Sequence, residues 1–243
     1  MRKSLFAIVA ATLPLLAGAA DLTVSAAASL TNAFKALAQA FEAAHPGDKV
    51  LLNFAASDPL VQQVARGAPV DVLASADQEA MDKAQKLQLL AAGTRRDFAS
   101  NTVVLVVPHG SKIASLADLK PAQRLTTGNP ASVPIGRYAQ AALEKAGLWQ
   151  ALQPKFVFGT SVRQSLDYVA RGEADAGFVY ATDVLAQKDK VKAVLAVPTE
   201  TPVRYPIAVI ANAPQPQLAR QFTDYAVSPA GQAILAKHGF GKP

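Results

Sequence analysis

The sequence predicts an α/β protein of two similar lobes, each with a mainly parallel central sheet, joined by two crossing strands with a ligand cleft between them. Three observations carry this. Short apolar β-type runs alternate with stretches of helical apolar spacing along the chain after residue 20, the pattern of βαβ units. A helix end, glycine turn, aspartate and strand recur. Val64-Ala65-Arg66-Gly67 leads to Val70-Asp71-Val72-Leu73-Ala74 and Asp77, and Val169-Ala170-Arg171-Gly172 leads to Asp175-Ala176-Gly177-Phe178-Val179-Tyr180 and Asp183. No low-complexity tether separates the halves, so strands rather than a loose linker join them. The β runs near Thr102 and Val203 are placed to make the crossings. Lobe 1 is therefore expected at 21–102 plus 205–243, and lobe 2 at 103–204.

The elements follow in order. Arg2 and Lys3, the apolar run Leu5–Leu16 and Ala17-Gly18-Ala19-Ala20 form a basic start, a short apolar middle and a small-residue end. That is a secretory leader over 1–20, too short to span a bilayer comfortably, with cleavage fitting before Ala20 or Asp21. Leu22–Val24 reads as a strand, and Leu30–Ala44 as a helix with Leu30, Phe34, Leu37 and Phe41 on one face, stopped by His45-Pro46-Gly47. Val50–Phe54 is a second strand and Pro59–Arg66 a second helix ended by Gly67. Val70–Ala74 is strand-like and Gln78–Leu90 helical. Thr102–Val107 is a β run closed by Pro108-His109-Gly110. Leu125–Thr127, helix Gly136–Ala146, strand Phe156–Phe158, helix Val162–Arg171 and strand Gly177–Tyr180 continue the alternation. Val203–Ile210 is a late β run, and helices around Ala219 and Ala233 finish the chain.

Composition excludes several chemistries. The chain has no cysteine, so disulfides, thiolate metal sites, iron–sulfur ligation and thiol catalysis are ruled out. Export without cysteine suits a domain large enough to need no covalent staples. The formal charge of +6 falls to +4 once Arg2 and Lys3 leave with the leader. The remaining basic residues are scattered and aromatics are only 7%, which fits poorly with nucleic acid. There is no Gly-x-Ser-x-Gly elbow, no P-loop and no dinucleotide fingerprint. His45, His109 and His238 lack partners at metal-ligand spacing and read as surface or capping residues.

What recurs is a strand that ends in small hydroxyl or glycine residues and feeds a helix. Ser25–Ser29, Ala55–Pro59, Gly128–Pro134 before Ile135-Gly136, and Gly159-Thr160-Ser161-Val162 all have this form. A helix start leaves unpaired N–H groups and a partial positive charge. Several aimed at one point make an anion site without any cationic side chain, beyond the carboxyl ends of the strands. Taken singly, Ser29, Ser57 and Ser161 read better as plain helix caps. Two such turns in each half, flanking one cleft, favour the anion.

These residues resemble a known family. Ala26-Ala27-Ala28-Ser29-Leu30-Thr31-Asn32-Ala33-Phe34 is similar to the opening motif of periplasmic molybdate-binding proteins of ABC transporters. So are Gly67–Asp77, Gly128-Asn129-Pro130 running into Val133–Ala139, Ser161-Val162-Arg163, Gly177–Tyr180 and Tyr205–Val209, while Ala230–Phe240 is shared more widely. The resemblance spans the mature chain and implies a type II periplasmic binding protein, not an enzyme and without a cofactor. It implies a periplasmic monomer, not membrane-spanning once the leader is removed, that binds molybdate or tungstate and delivers it to an inner-membrane ABC permease. Carried over by position, Ser29 and Ser57 would donate hydroxyl and backbone bonds. Ile135 and Val162 would donate backbone N–H, and the Tyr180 hydroxyl would close the shell. These contacts would be to molybdate oxygens, not to a metal centre.

Two positions depart from that family. Where it often carries hydroxyl residues stand Ala56-Ser57-Asp58-Pro59, and Asp58 would repel a dianion unless it turns outward to cap its helix. Ile135 stands where a smaller residue is common. Two other readings remain. One is a phosphate or sulfate binder of the same fold, with Asp58 accepting the proton of hydrogen phosphate. The other is an exported hydrolase pairing Ser29 or Ser57 with a histidine.

Overall fold

Apolar strands flanked by one-sided helices can bury both faces of a sheet, and the chain does this twice. The computed structural model describes residues 20–243, so the leader expected over 1–20 lies outside the described residues except for Ala20. The first part of the chain forms β1 (Asp21–Ala27), α1 (Thr31–Ala44), β2 (Lys49–Ala55), α2 (Ser57–Ala65), β3 (Val72–Ala74), α3 (Gln78–Lys86) and β4 (Arg96–Asn101). The middle forms β5 (Val103–Pro108), β6 (Leu125–Gly128), α4 (Pro134–Lys145), α5 (Trp149–Leu152), β7 (Phe156–Gly159), α6 (Val162–Ala170), β8 (Ala176–Tyr180), α7 (Ala181–Ala186) and β9 (Val191–Ala196). The chain closes with β10 (Val203–Val209), α8 (Pro216–Val227) and α9 (Pro229–Lys237).

Two five-stranded sheets result, ordered β2-β1-β3-β10-β4 and β7-β6-β8-β5-β9. They are the same sheet twice. β1, β2 and β3 correspond to β6, β7 and β8, each set parallel. The fourth strand, β10 or β5, is antiparallel to the third and to an edge strand, β4 or β9. The sheets are therefore mixed, with parallel pairing in the βαβ half of each. The recurring glycine turns fall at equivalent places, with Gly67 at φ +87° after α2 and Gly172 at φ +71° after α6. Only glycine adopts that conformation without strain, so both helix ends carry it.

Each sheet with its helices forms one lobe, and the lobes are joined by short crossings. β4 leaves the first sheet at Asn101 and β5 enters the second at Val103, so the first crossing is Thr102. Residues 197–202 make the second. All of β10 from Val203 belongs to the first sheet. β4, β9 and α7 escape sequence reading. In β4 only Phe98 and Ala99 are buried, so it shows no apolar run, while β9 begins within the charged stretch Lys188–Lys192 and its apolar residues Ala193–Ala196 are at most half-buried. Such polar edges are how sheets avoid unwanted pairing. α3 stops at Lys86, short of Leu90, where Gln88 takes φ +57°.

Aromatic rings fill both lobes. Phe34 meets Phe98 and Phe222 edge-on at 5.7 and 6.1 Å, and Phe41 meets Phe222 at 5.3 Å. In the second lobe Phe156 lies 5.7 Å from Phe158 and 5.5 Å from Trp149. Burying each large apolar side chain stabilises by roughly 1.5–3 kcal/mol.

The turn between β6 and α4 is especially tight. A Cβ on Gly136 would lie 2.1 Å from the Gly128 carbonyl oxygen and 2.7 Å from the Pro130 nitrogen. Both obstacles are backbone and cannot swing aside. Gly136→Ala should therefore destabilise the protein by at least about 1–3 kcal/mol, read as a lower urea midpoint. An unchanged midpoint would mean that this turn is not held as described.

Candidate functional site

Six strand-to-helix junctions, three from each lobe, converge on one small cavity between the lobes. Lobe 1 contributes Ala27, Ala28 and Ser29 after β1, Ala56 and Ser57 after β2, and Ala76 after β3. Lobe 2 contributes Val133, Pro134 and Ile135 after β6, Val162 after β7, and Tyr180 at the end of β8. The five residues singled out in the sequence, Ser29, Ser57, Ile135, Val162 and Tyr180, all line it and are all buried.

The backbone supplies donors because of how each helix begins. First-turn amides have no intrahelical carbonyl to bond. In α2 the N-cap is Ala56, with Ser57 and Asp58 the first helical residues. In α4 Pro134 opens the helix without an N–H, so the Ile135 amide is the first available. In α6 Val162 follows the cap Ser161, whose hydroxyl accepts from the Gln164 N–H at 3.3 Å. Ser161 is thus a cap, and Val162 beside it lines the cavity. Partial positive charge at these starts favours an anion.

The hydroxyls are oriented by what lies behind them. Ser57 Oγ accepts from the Ala76 N–H at 3.0 Å, which leaves its own proton free to donate. Tyr205 Oη accepts from Asn101 Nδ2 at 3.2 Å and lies 3.0 Å from Ser29 Oγ. With the tyrosine proton on Ser29, the serine can pass its own into the cavity, and such a chain strengthens each bond in turn. Tyr180 Oη reaches the Ala76 carbonyl across the lobes at 3.4 Å, long enough to be exchanged for a better acceptor. Asp183, fully buried, accepts from the Tyr180 N–H at 3.2 Å and pairs with Arg163 Nε at 2.7 Å. That pair is close but poorly aligned, so charge more than a directed hydrogen bond holds it.

Among the described residues, no Lys, Arg, Asp or Glu lines the cavity. Asp58, expected either at the anion or capping its own helix, does neither. Its Oδ1 lies 2.6 Å from Lys83 Nζ and its Oδ2 2.8 Å from Arg137 Nη2, because two cations offer more than an amide already close to the chain. Both oxygens are engaged outward. No histidine is hydrogen-bonded to Ser29 or Ser57 among the described residues: His45 stacks on Phe41 at 3.9 Å, and His109 bonds the Lys188 carbonyl.

Ala76 and Tyr205 were not singled out in advance. The repeat held a signal for the first, since it aligned the strand before Asp77 with the strand before Asp183 and hence the Ala76 turn with Tyr180. Tyr205 lies on a crossing strand far along the chain, and only the fold brings it to Ser29.

Two equivalent α/β lobes closing on a small cavity of neutral donors define a protein that captures a small solute between its lobes. The chain belongs to the bacterial extracellular solute-binding protein family, whose pattern matches residues 22–241. It is 40% identical over 230 residues to the molybdate-binding protein ModA of Mycobacterium tuberculosis H37Rv, covering 93% of this chain and 86% of that one. It is 37% identical over 235 residues to ModA of Escherichia coli K12, covering 93% and 90%. The substrate-binding domain of a putative molybdenum ABC transporter from Clostridium difficile has the same fold, with a TM-score of 0.71, 33% identity and coverage of 93% and 100%. The chain is a binding protein rather than an enzyme.

Burial raises the Tyr180 and Tyr205 hydroxyls well above their ordinary value, and Tyr138 is raised mainly by burial too. In the unfolded chain these groups ionise near pH 10. The folded state holds their protons more tightly, so their contribution is fully present below about pH 10 and is lost as pH rises beyond it. An ultraviolet absorbance titration should show these three ionising only within the alkaline unfolding transition. Their ionisation in still-folded protein near pH 10 would contradict the burial described. Ser57→Ala should strand the buried Ala76 N–H and lower ligand-free stability by about 1–3 kcal/mol in denaturant.

Proposed function

We propose that this chain is an exported binding protein that captures molybdate or tungstate by lobe closure and delivers it to an inner-membrane ABC permease. In this reading the leader over 1–20 directs it to the periplasm, where it works as a monomer. Lobe 1 comprises 21–101 with 203–243 and lobe 2 comprises 103–196, so Val203 and Arg204, expected in lobe 2, belong to lobe 1. Ser29, Ser57, Ile135, Val162 and Tyr180 hold the oxyanion through its oxygens. The observation that carries the reading is the meeting of these five residues, neutral donors drawn from both lobes, around one small cavity with no charged group in its wall. The likeness to proteins named as molybdate-binding supports the same ligand class.

Neutral donors suit a fully ionised tetrahedral dianion, whose oxygens only accept. Hydrogen phosphate also needs an acceptor for its proton. Asp58, the carboxylate beside Ser57, has each oxygen paired with a cation, which disfavours that ligand. Sulfate has the same charge and hydrogen-bonding character as molybdate, so only cavity size separates them, with Ile135 in the wall.

Thermal shift and calorimetry with molybdate, tungstate, sulfate and phosphate in turn test this. Ligand at roughly a thousand times Kd stabilises by about 4 kcal/mol, so molybdate and tungstate should raise Tm clearly. A response to phosphate without one to molybdate would overturn the reading. Replacing both serines, Ser29→Ala with Ser57→Ala, removes two charge-assisted bonds and should weaken molybdate binding by roughly a hundredfold to ten-thousandfold.

A further inference from the structure

Arg137 lies two residues after Ile135 on α4, and its side chain leaves its own lobe. Its Nε and Nη2 lie 2.9 and 2.6 Å from Asp77 Oδ2, and Nη2 also lies 2.8 Å from Asp58 Oδ2. Glu79 Oε2 is 3.3 Å from Nε. Lys83 Nζ completes the group, 2.6 Å from Asp58 and 2.9 Å from Glu79. Asp58, Asp77, Glu79 and Lys83 belong to α2 and to the start of α3 in lobe 1, and Arg137 alone comes from lobe 2. Asp58 and Asp77 are nearly buried, with side chains 12% and 6% exposed.

The two aspartates adjoin the cavity in the chain itself. Asp58 follows Ser57, and Asp77 follows Ala76. Lobe 1 by itself thus places three carboxylates against a single lysine beside a site for an anion. That charge opposes ligand capture unless something offsets it. We propose that Arg137 is a positioning residue for anion capture: lobe closure brings its guanidinium onto Asp58 and Asp77, offsetting the charge that flanks the cavity. A dianion can then be enclosed by neutral donors alone.

The inference rests on the oxyanion reading above. Arginine suits the role because its planar fork can serve two carboxylates at once, which a lysine ammonium does less well. Burial raises the Asp77 carboxyl, and Arg137 acts against that rise. On the other flank Arg163 is held mainly within its own lobe by Asp183 at 2.7 Å. It reaches the Ser29 carbonyl and Asn32 Oδ1 of lobe 1 only at 3.4 Å. Arg137 is the closer charge contact between the lobes.

Calorimetry and stopped-flow dissociation with molybdate would test this on wild type, Arg137→Gln, Arg137→Lys, Asp58→Asn and the double variant Arg137→Gln with Asp58→Asn. Arg137→Gln should weaken binding by about a hundredfold, chiefly through faster dissociation. Asp58→Asn alone, which leaves Arg137 on Asp77, should stay within about threefold of wild type. The double variant should recover at least about tenfold of the loss, since one of the uncompensated charges is gone. Arg137→Lys should fall between wild type and Arg137→Gln, and it keeps the test available if the glutamine variant folds poorly. Unchanged binding by both Arg137 variants, or a loss that Asp58→Asn does not relieve, overturns the proposal and leaves Arg137 a packing residue. A wild-type protein that ignores molybdate overturns the oxyanion reading, and this inference with it.

Discussion

Enclosing a small anion inside a protein strips it of water, and the lost hydration has to be replaced by donors already fixed in place. The rest of this structure follows from that requirement. A side-chain cation could supply the attraction, but an unpaired buried cation would burden the empty protein. Helix starts avoid the difficulty, since their amides are unpaired by the geometry of the helix itself and carry no net charge. Pro134 and Ser161 define where two of these starts fall, and Ile135 and Val162 lie beside them as buried apolar residues. Neutral hydroxyls complete the set, each oriented by a second group behind it, the Ala76 amide for Ser57 and Tyr205 for Ser29.

Duplication of the lobe explains why the donors converge. Each βαβαβ half ends its three parallel strands at the same side of its sheet, where open α/β sheets bind ligands. Two such halves facing one another bring six junctions to one point. The short crossings at Thr102 and at 197–202 let the lobes stay separate bodies. At the first crossing Asn101 donates to Thr182 of lobe 2 at 2.8 Å and to Tyr205 of lobe 1 at 3.2 Å. The crossing is thereby tied to the hydroxyl chain that ends at Ser29.

Much of this was legible in the sequence because it rests on local rules. The parallel strands and the helices between them show as apolar runs and helical spacing, and the paired glycine turns mark the repeat. The turns that hold Ser29, Ser57, Ile135 and Val162 were legible too as small or hydroxyl residues between strand and helix, whereas the choice of these four as ligand residues, and Tyr180 altogether, came from the family resemblance. What escaped depends on contacts between distant segments. The edge strand β4 is too polar to stand out, β9 begins within a run of charged residues, and Tyr205 reaches Ser29 from a strand that returns late in the chain. Asp58 is the clearest case. Its position suggested a helix cap, yet its partners Lys83 and Arg137 lie on two other helices, one in the opposite lobe. No periodicity in the sequence reports such a pairing.

The central claim is that a dianion sits between the lobes held by neutral donors, with charge compensated beyond the cavity wall. Anomalous diffraction at the molybdenum absorption edge, from crystals grown with molybdate, tests it most directly. The expected result is one strong peak inside the cavity, with its oxygens contacting Ser29, Ser57, Ile135, Val162 and Tyr180 and no lysine or arginine nitrogen within hydrogen-bond reach. A peak outside the cavity, or an anion gripped by Arg137 or Arg163, would contradict it.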